Sequence, residues 1–115
     1  MQLTRALAPV TDPRSRARGA AYFSSGAVVH FDPQATFVYA VVHGTEDYVV
    51  RLELGSREIR GTCSCPFFSE QLQPCKHVWA VAQNCDARAV LQLPDTIRPA
   101  DVQFVAIPLE DEPDE

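Results

Sequence analysis

No long apolar run occurs in this chain. Over its 115 residues the longest stretch without a polar side chain is about six residues, Phe37 to Val42, far short of the roughly 20 that a membrane-crossing helix needs. The first residues, Met1 to Pro9, lack the apolar core of a secretory signal. Both absences place the expected protein in the cytoplasm, nucleoid association included, with no membrane partner. In that reducing setting the four cysteines read better as metal ligands or free thiols than as a disulfide framework. There is also no Cys-x-x-Cys pair, no Ser/His/Asp order, no pair of carboxylates in an enclosed setting and no phosphate-cradling glycine loop. The expectation is a protein that is not an enzyme and takes no small-molecule substrate.

An excess of positive charge is missing too. The formal net charge is -5, which at first argues against nucleic acid, since phosphate binding is driven by clustered Lys and Arg. The distribution alters that conclusion. Five of the fifteen acidic residues (Glu110, Asp111, Glu112, Asp114 and Glu115) fall at the end, so residues 1 to 109 carry ten acids against ten bases. Arg5, Arg14, Arg16 and Arg18 face only Asp12 near the start, giving a basic arm that is either a solvated terminus or a phosphate contact.

What the chain does contain is a compact ligand set. Cys63-Ser64-Cys65-Pro66 and Pro74-Cys75-Lys76-His77 bring three thiols and one imidazole within fifteen residues. These are the donors of a closed structural zinc site, which favours four tetrahedral N/S ligands. In an extended segment residues i and i+2 point to the same side, so Cys63 and Cys65 can aim both sulfurs at one ion from a strand end. Two residues apart on a helix point about 200° away from each other, so Cys75 must precede a helix whose first turn carries His77. Lys76, between two ligands, must then point away from the metal. With four protein ligands no position is left for the water that catalytic zinc needs.

The surrounding pattern predicts an α+β fold, a small antiparallel β-meander of about four or five strands followed by the zinc-stapled segment. Residues 1–18 read as an irregular basic arm with one helical turn or short strand near its start. Ala21 to Phe23 and Ala27 to Phe31 read as short strands joined by a turn. Phe37 to Val42 reads as a central strand buried on both faces, Tyr48 to Leu54 as a half-solvated strand, and Glu58 to Cys63 as the strand feeding the ligands. Pro66 to Gln73 is expected to be a loop. Val78, Val81, Ala82 and Cys85 then fall at i, i+3, i+4 and i+7, one stripe of a helix over about His77 to Asn84. Ala87 to Leu93 would continue it or form a second helix, Val102 to Ile107 would add a last strand, and residues 108–115 form an acidic tail or linker.

The order Cys-x-Cys, loop, Cys-x-His, with Pro66 after the second cysteine and Lys76 inside the last pair, resembles the SWIM-type zinc finger. Upstream, Arg18-Gly19, Tyr22-Phe23, Gly26-Ala27-Val28, Val41-Val42-His43-Gly44 and Tyr48-Val49-Val50 look like the sheet preceding this finger in bacterial members, some attached to Swi/Snf-type DNA-dependent ATPases. The resemblance covers about Arg18 to Ala82. It implies Zn2+ as cofactor, Cys63, Cys65, Cys75 and His77 as ligands, and a ββα finger that binds DNA or proteins. The expected layout is a domain over 19–107 with its finger at 58–85, acting as part of or beside a DNA-dependent ATPase or helicase. The alternative is a protein-interaction adaptor with no direct DNA contact. Candidate contacts to nucleic acid or partner are Arg14, Arg16, Arg18, Arg60, Phe67, Phe68 and Lys76, with Arg57 weighed beside Arg60. Cys85 reads as a core thiol, Trp79 as core packing around the zinc loop, and His30 and His43 as packed or half-exposed side chains without a metal companion.

Overall fold

The computed structural model describes residues 1–107, so the acidic tail at 108–115 lies outside the described residues. Five strands form one sheet in the order β1-β2-β3-β4-β5: Val28–Pro33 (β1), Phe37–His43 (β2), Asp47–Leu54 (β3), Glu58–Cys63 (β4) and Gln103–Ala106 (β5). The first four make the expected antiparallel meander. The last joins β4 in parallel, with Ile59 opposite Phe104. It must be parallel because the chain leaves the end of β4, crosses the sheet through Pro66–Gln71 (α3) and Lys76–Ala87 (α4), and returns at the start of its neighbour.

The helical turn allowed for near the start is present, but the rest of the arm expected to be irregular is helical too, which corrects that expectation. Leu3–Leu7 (α1) buries Leu3, Ala6 and Leu7, and Pro13–Ser24 (α2) follows a single 3₁₀ turn. Asp12 caps α2, its carboxylate accepting from the Arg14 amide at 2.9 Å, and Pro13 takes the first helical position, where its missing N–H costs nothing. An Asp-Pro pair opening a run of Arg and Ala is thus a helix start. The strand expected at Ala21 to Phe23 is the last turn of α2, and the chain leaves it through Gly26 at φ 77°, a conformation suited to glycine.

Helix α4 lies between the sheet and the two N-terminal helices. Its expected stripe of Val78, Val81, Ala82 and Cys85 is fully buried, but so is Ala80, because cover comes from two sides. Gly19 makes the crossing of α2 over α4 close: a Cβ there would sit 2.6 Å from the Lys76 carbonyl oxygen and 2.7 Å from the Trp79 Cβ. Asp86 of α4 caps α1 across the interface, accepting from the Leu3 and Thr4 amides at 2.8 and 3.2 Å. The second helix or continuation allowed for at Ala87 to Leu93 does not form beyond Ala87; there the backbone turns through left-handed Ala89 and Leu91.

Helices cover one face of the sheet only. Val38, Ala40 and Val42 of β2 and Val50 and Leu52 of β3 are fully buried under them, each valine and leucine worth roughly 1.5–3 kcal/mol of transfer free energy. The opposite face of β2 was expected to be buried as well and is not. Tyr39 is 38% exposed, and Phe37 lies beneath the Arg51 guanidinium at 4.1 Å. Among the described residues no helix is long and apolar enough to cross a membrane.

Candidate metal centre

The ligand pairs meet at the junction of β4, α3 and α4. Pairing with β3 continues past the end of β4, where the Ser64 amide donates to the Val49 carbonyl at 3.0 Å and the Ser64 hydroxyl accepts from the Val49 amide at 2.9 Å. Ser64 therefore faces outward, while Cys63 and Cys65 are both buried on the inner side, as alternation requires. Cys75 is the residue capping α4 and His77 lies in its first turn, the arrangement expected from spacing.

Sγ of Cys63, Cys65 and Cys75 and a ring nitrogen of His77 all lie within 4.8 Å of one another. Nδ1 of His77 is 3.7 Å from Cys63 Sγ and 3.8 Å from Cys75 Sγ. A tetrahedral ion with Zn–S bonds of about 2.3 Å and Zn–N of about 2.0 Å separates its ligand atoms by about 3.5–3.8 Å. The donor set and its spacing fit zinc, with His77 binding through Nδ1.

The electrostatics of the shell point the same way. Cys65 caps α3, its Sγ accepting from the Phe68 amide at 3.4 Å, while Cys75 stands at the N-cap position of α4 without a side-chain capping hydrogen bond; a helix start favours negative charge. Without a cation the three thiols compete for protons. Hydrogen bonds to Cys65 and Cys75, then burial, hold Cys63 protonated well above the ordinary thiol range, whereas hydrogen bonds from Cys63 and Cys75 depress Cys65. A bound divalent cation removes that competition, since coordinating thiols are deprotonated outright. Cys85 stands apart from the cluster; burial and the neighbouring Asp86 push its thiol up to about 12, as expected of a core residue.

Histidine ligands usually donate their second ring nitrogen to an acceptor that fixes the ring. Nε2 of His77 is buried with no such partner. Here stacking does the orienting: the Tyr48 ring lies 4.3 Å away at 26°, and Tyr22 of α2 packs at 5.4 Å and 59°. Neither tyrosine was singled out as a site residue. For Tyr48 an inward position on β3 was the available signal; nothing in the spacing links Tyr22 to His77.

Four of the candidate contact residues are brought together. Arg14 and Arg18 of α2, Phe67 of α3 and Lys76 of α4 line one cleft of about 410 Å³ beside the ligands. The others are not there. Phe68 is only 1% exposed and packs edge-on against Phe104, so it cannot meet a partner: of two adjacent rings on α3, one turns inward. The sequence Pro66 to Gln71, expected to be a loop, is the short helix that separates them. Arg16 is half-buried with its Nε enclosed, and Arg60 lies beside Arg57 in a separate groove, engaged by Glu58 at 2.6 Å. Trp79 belongs to the core, His43 pairs with Asp47 at 2.7 Å on the surface, and His30 sits edge-on to Tyr39.

The family model of the SWIM zinc finger matches residues 48–86, from the start of the β3 sequence through both ligand pairs to the last turn of α4. That segment carries a SWIM zinc finger whose Cys63, Cys65, Cys75 and His77 cluster is positioned to bind a zinc ion. The match leaves α1, α2, β1, β2 and β5 outside, including the upstream likeness from Arg18. No curated protein and no solved structure matches the chain.

Proposed function

We propose that the chain is a structural zinc-binding module that acts in DNA binding, as part of or beside a DNA-dependent ATPase or helicase, and is not itself an enzyme. Zinc, when bound, supplies a cross-link between the end of β4 and the start of α4. The residues of the chain do the rest: the thiols and the imidazole fix the edge of the finger, and Tyr22 and Tyr48 hold the ring of His77. The observation that carries the reading is the position of Arg14, Arg18 and Lys76 on one cleft against the metal cluster, in a body whose charges balance only with these three included. Four protein ligands leave no coordination position for substrate or water, which is why a binding role is favoured over catalysis. Metal analysis of the purified protein, followed by titration with short DNA at low salt, tests it. Stoichiometric zinc and salt-sensitive binding are expected, and affinity no better than millimolar sinks direct DNA contact.

A protein-interaction adaptor is the second reading, favoured by one feature: Phe67 is 39% exposed beside the metal cluster, an aromatic side chain that a docking partner could cover. Substituting Phe67 would then abolish capture of the partner without release of zinc.

A further inference from the structure

Resting on the nucleic-acid reading above, we infer that the cleft between α2 and the finger is a binding site for a single strand, holding backbone phosphates on Arg14, Arg18 and Lys76 while Phe67 stacks on a base. Two of these cations come from α2, outside the segment that matches the zinc finger, so the site belongs to the whole fold and not to the finger. Among the described residues none of the three is ion-paired. Arg14 and Arg18 are exposed, and the Lys76 ammonium lies over the Tyr22 ring at 5.4 Å.

The charge balance is positive though small. Asp12 also lines the cleft, but its carboxylate is engaged in capping α2. A zinc ion carrying three thiolates has a formal charge of minus one, which leaves the cleft one positive charge in excess. That excess sits within a body of no net charge, so it provides local attraction for phosphate and only modest affinity.

Shape decides which nucleic acid. Reading a duplex calls for a protruding helix or ribbon that enters a major groove about 12 Å wide. This site is concave; the ligands Cys65, Cys75 and His77 share its lining, and its volume of about 410 Å³, metal position included, is within the range of about 300–1,000 Å³ typical of small-ligand pockets. A positively charged groove with an aromatic side chain at its edge is the arrangement by which single strands are held without sequence preference, each stacked base adding to affinity.

Fluorescence anisotropy on the zinc-loaded full chain tests the inference with a labelled oligothymidylate of about 15 nucleotides, within the usual site-size range, and a hairpin duplex of equal charge. Tighter binding of the single strand is expected. Arg14→Gln with Arg18→Gln should weaken it at least tenfold and lower the salt slope by about 1.4, the loss of two phosphate contacts. Phe67→Ala should weaken it severalfold without changing the slope, and Arg60→Gln, remote from the cleft, should change nothing. Zinc content and the circular dichroism spectrum of each variant confirm the fold. Unaltered affinity of the double arginine variant, tighter binding of the duplex, or displacement of the oligonucleotide by polyglutamate at equal charge would each overturn the single-strand site, while leaving DNA binding elsewhere on the module intact. Failure of both DNAs to bind would remove the nucleic-acid reading itself.

Discussion

The two ends of this molecule are held together by different physics. Toward β1, β2 and β3 the strands are paired along their length, with one register shift in β1 between Val28 and His30, and bury Val38, Ala40, Val42, Val50 and Leu52 completely. Toward the finger, the ten residues from Ser64 to Gln73 offer the core only Cys65 and Phe68, in a six-residue helix that ends at a left-handed Leu72. Such a segment cannot offset its own ordering entropy by apolar burial. The contrast teaches that zinc is needed locally, and that α4 belongs to both regimes: its first turn to the metal, its middle and end to the core.

Removing the metal should therefore have the largest effect and a confined one. Structural zinc binds zinc-finger peptides with about 10–16 kcal/mol, so chelation or Cys75→Ser is expected to release Ser64 to Lys76. Burial of Val78, Val81 and Ala82 under α1 and α2 keeps the middle of α4 in place without the metal. Hydrogen exchange checks this. Loss of protection throughout β1–β3, or none in α3, would contradict the division. Leu52→Ala is the converse experiment, expected to cost about 2–5 kcal/mol in chemical denaturation while leaving zinc stoichiometry unchanged.

Gly19→Ala tests the joint between the two regimes. The added methyl would meet the Lys76 carbonyl oxygen at 2.6 Å, and a loss of about 1–3 kcal/mol with a displaced first turn of α4 is expected. In the core, Cys85 gives a pH signature. Its folded pKa, pushed up to about 12 by burial and Asp86, exceeds the ordinary thiol value, so the folded form binds more protons in between. Its contribution is fully present below about pH 9 and lost as pH rises toward 12, steepening the decline of stability by up to about 1.4 kcal/mol per pH unit. The Cys85→Ala variant should show a correspondingly shallower alkaline limb. Tyr48→Ala should give the smallest change, weakening zinc affinity by about tenfold in a competition titration because the His77 ring loses its stacked support.

Much of the strand pattern was legible because alternation is a local signal: β2, β3 and β4 appear where the apolar residues alternate. The metal ligands were legible for a similar reason, since two short pairs flanked by a strand and a helix leave few geometries open. The N-terminal helix was misread. Asp12-Pro13 carries a sound helix start, but Tyr22-Phe23 followed by Ser-Ser-Gly resembles a strand and a turn when no neighbour is considered. The short helix at Pro66 was likewise hidden, since six residues are too few for periodicity to be distinguished from a loop.

By itself the sequence determined the four donors, the meander and the helix that follows it, because each depends on spacing along the chain. Tertiary structure alone decided that the sheet is covered on one face, that Phe67 faces outward while Phe68 is buried, and that two tyrosines grip the metal-binding histidine. It also brought Arg14 and Arg18 beside the metal ligands Cys65, Cys75 and His77 across more than forty residues of intervening chain. Those outcomes depend on how helices dock on a sheet, a matter of long-range packing to which no local period corresponds.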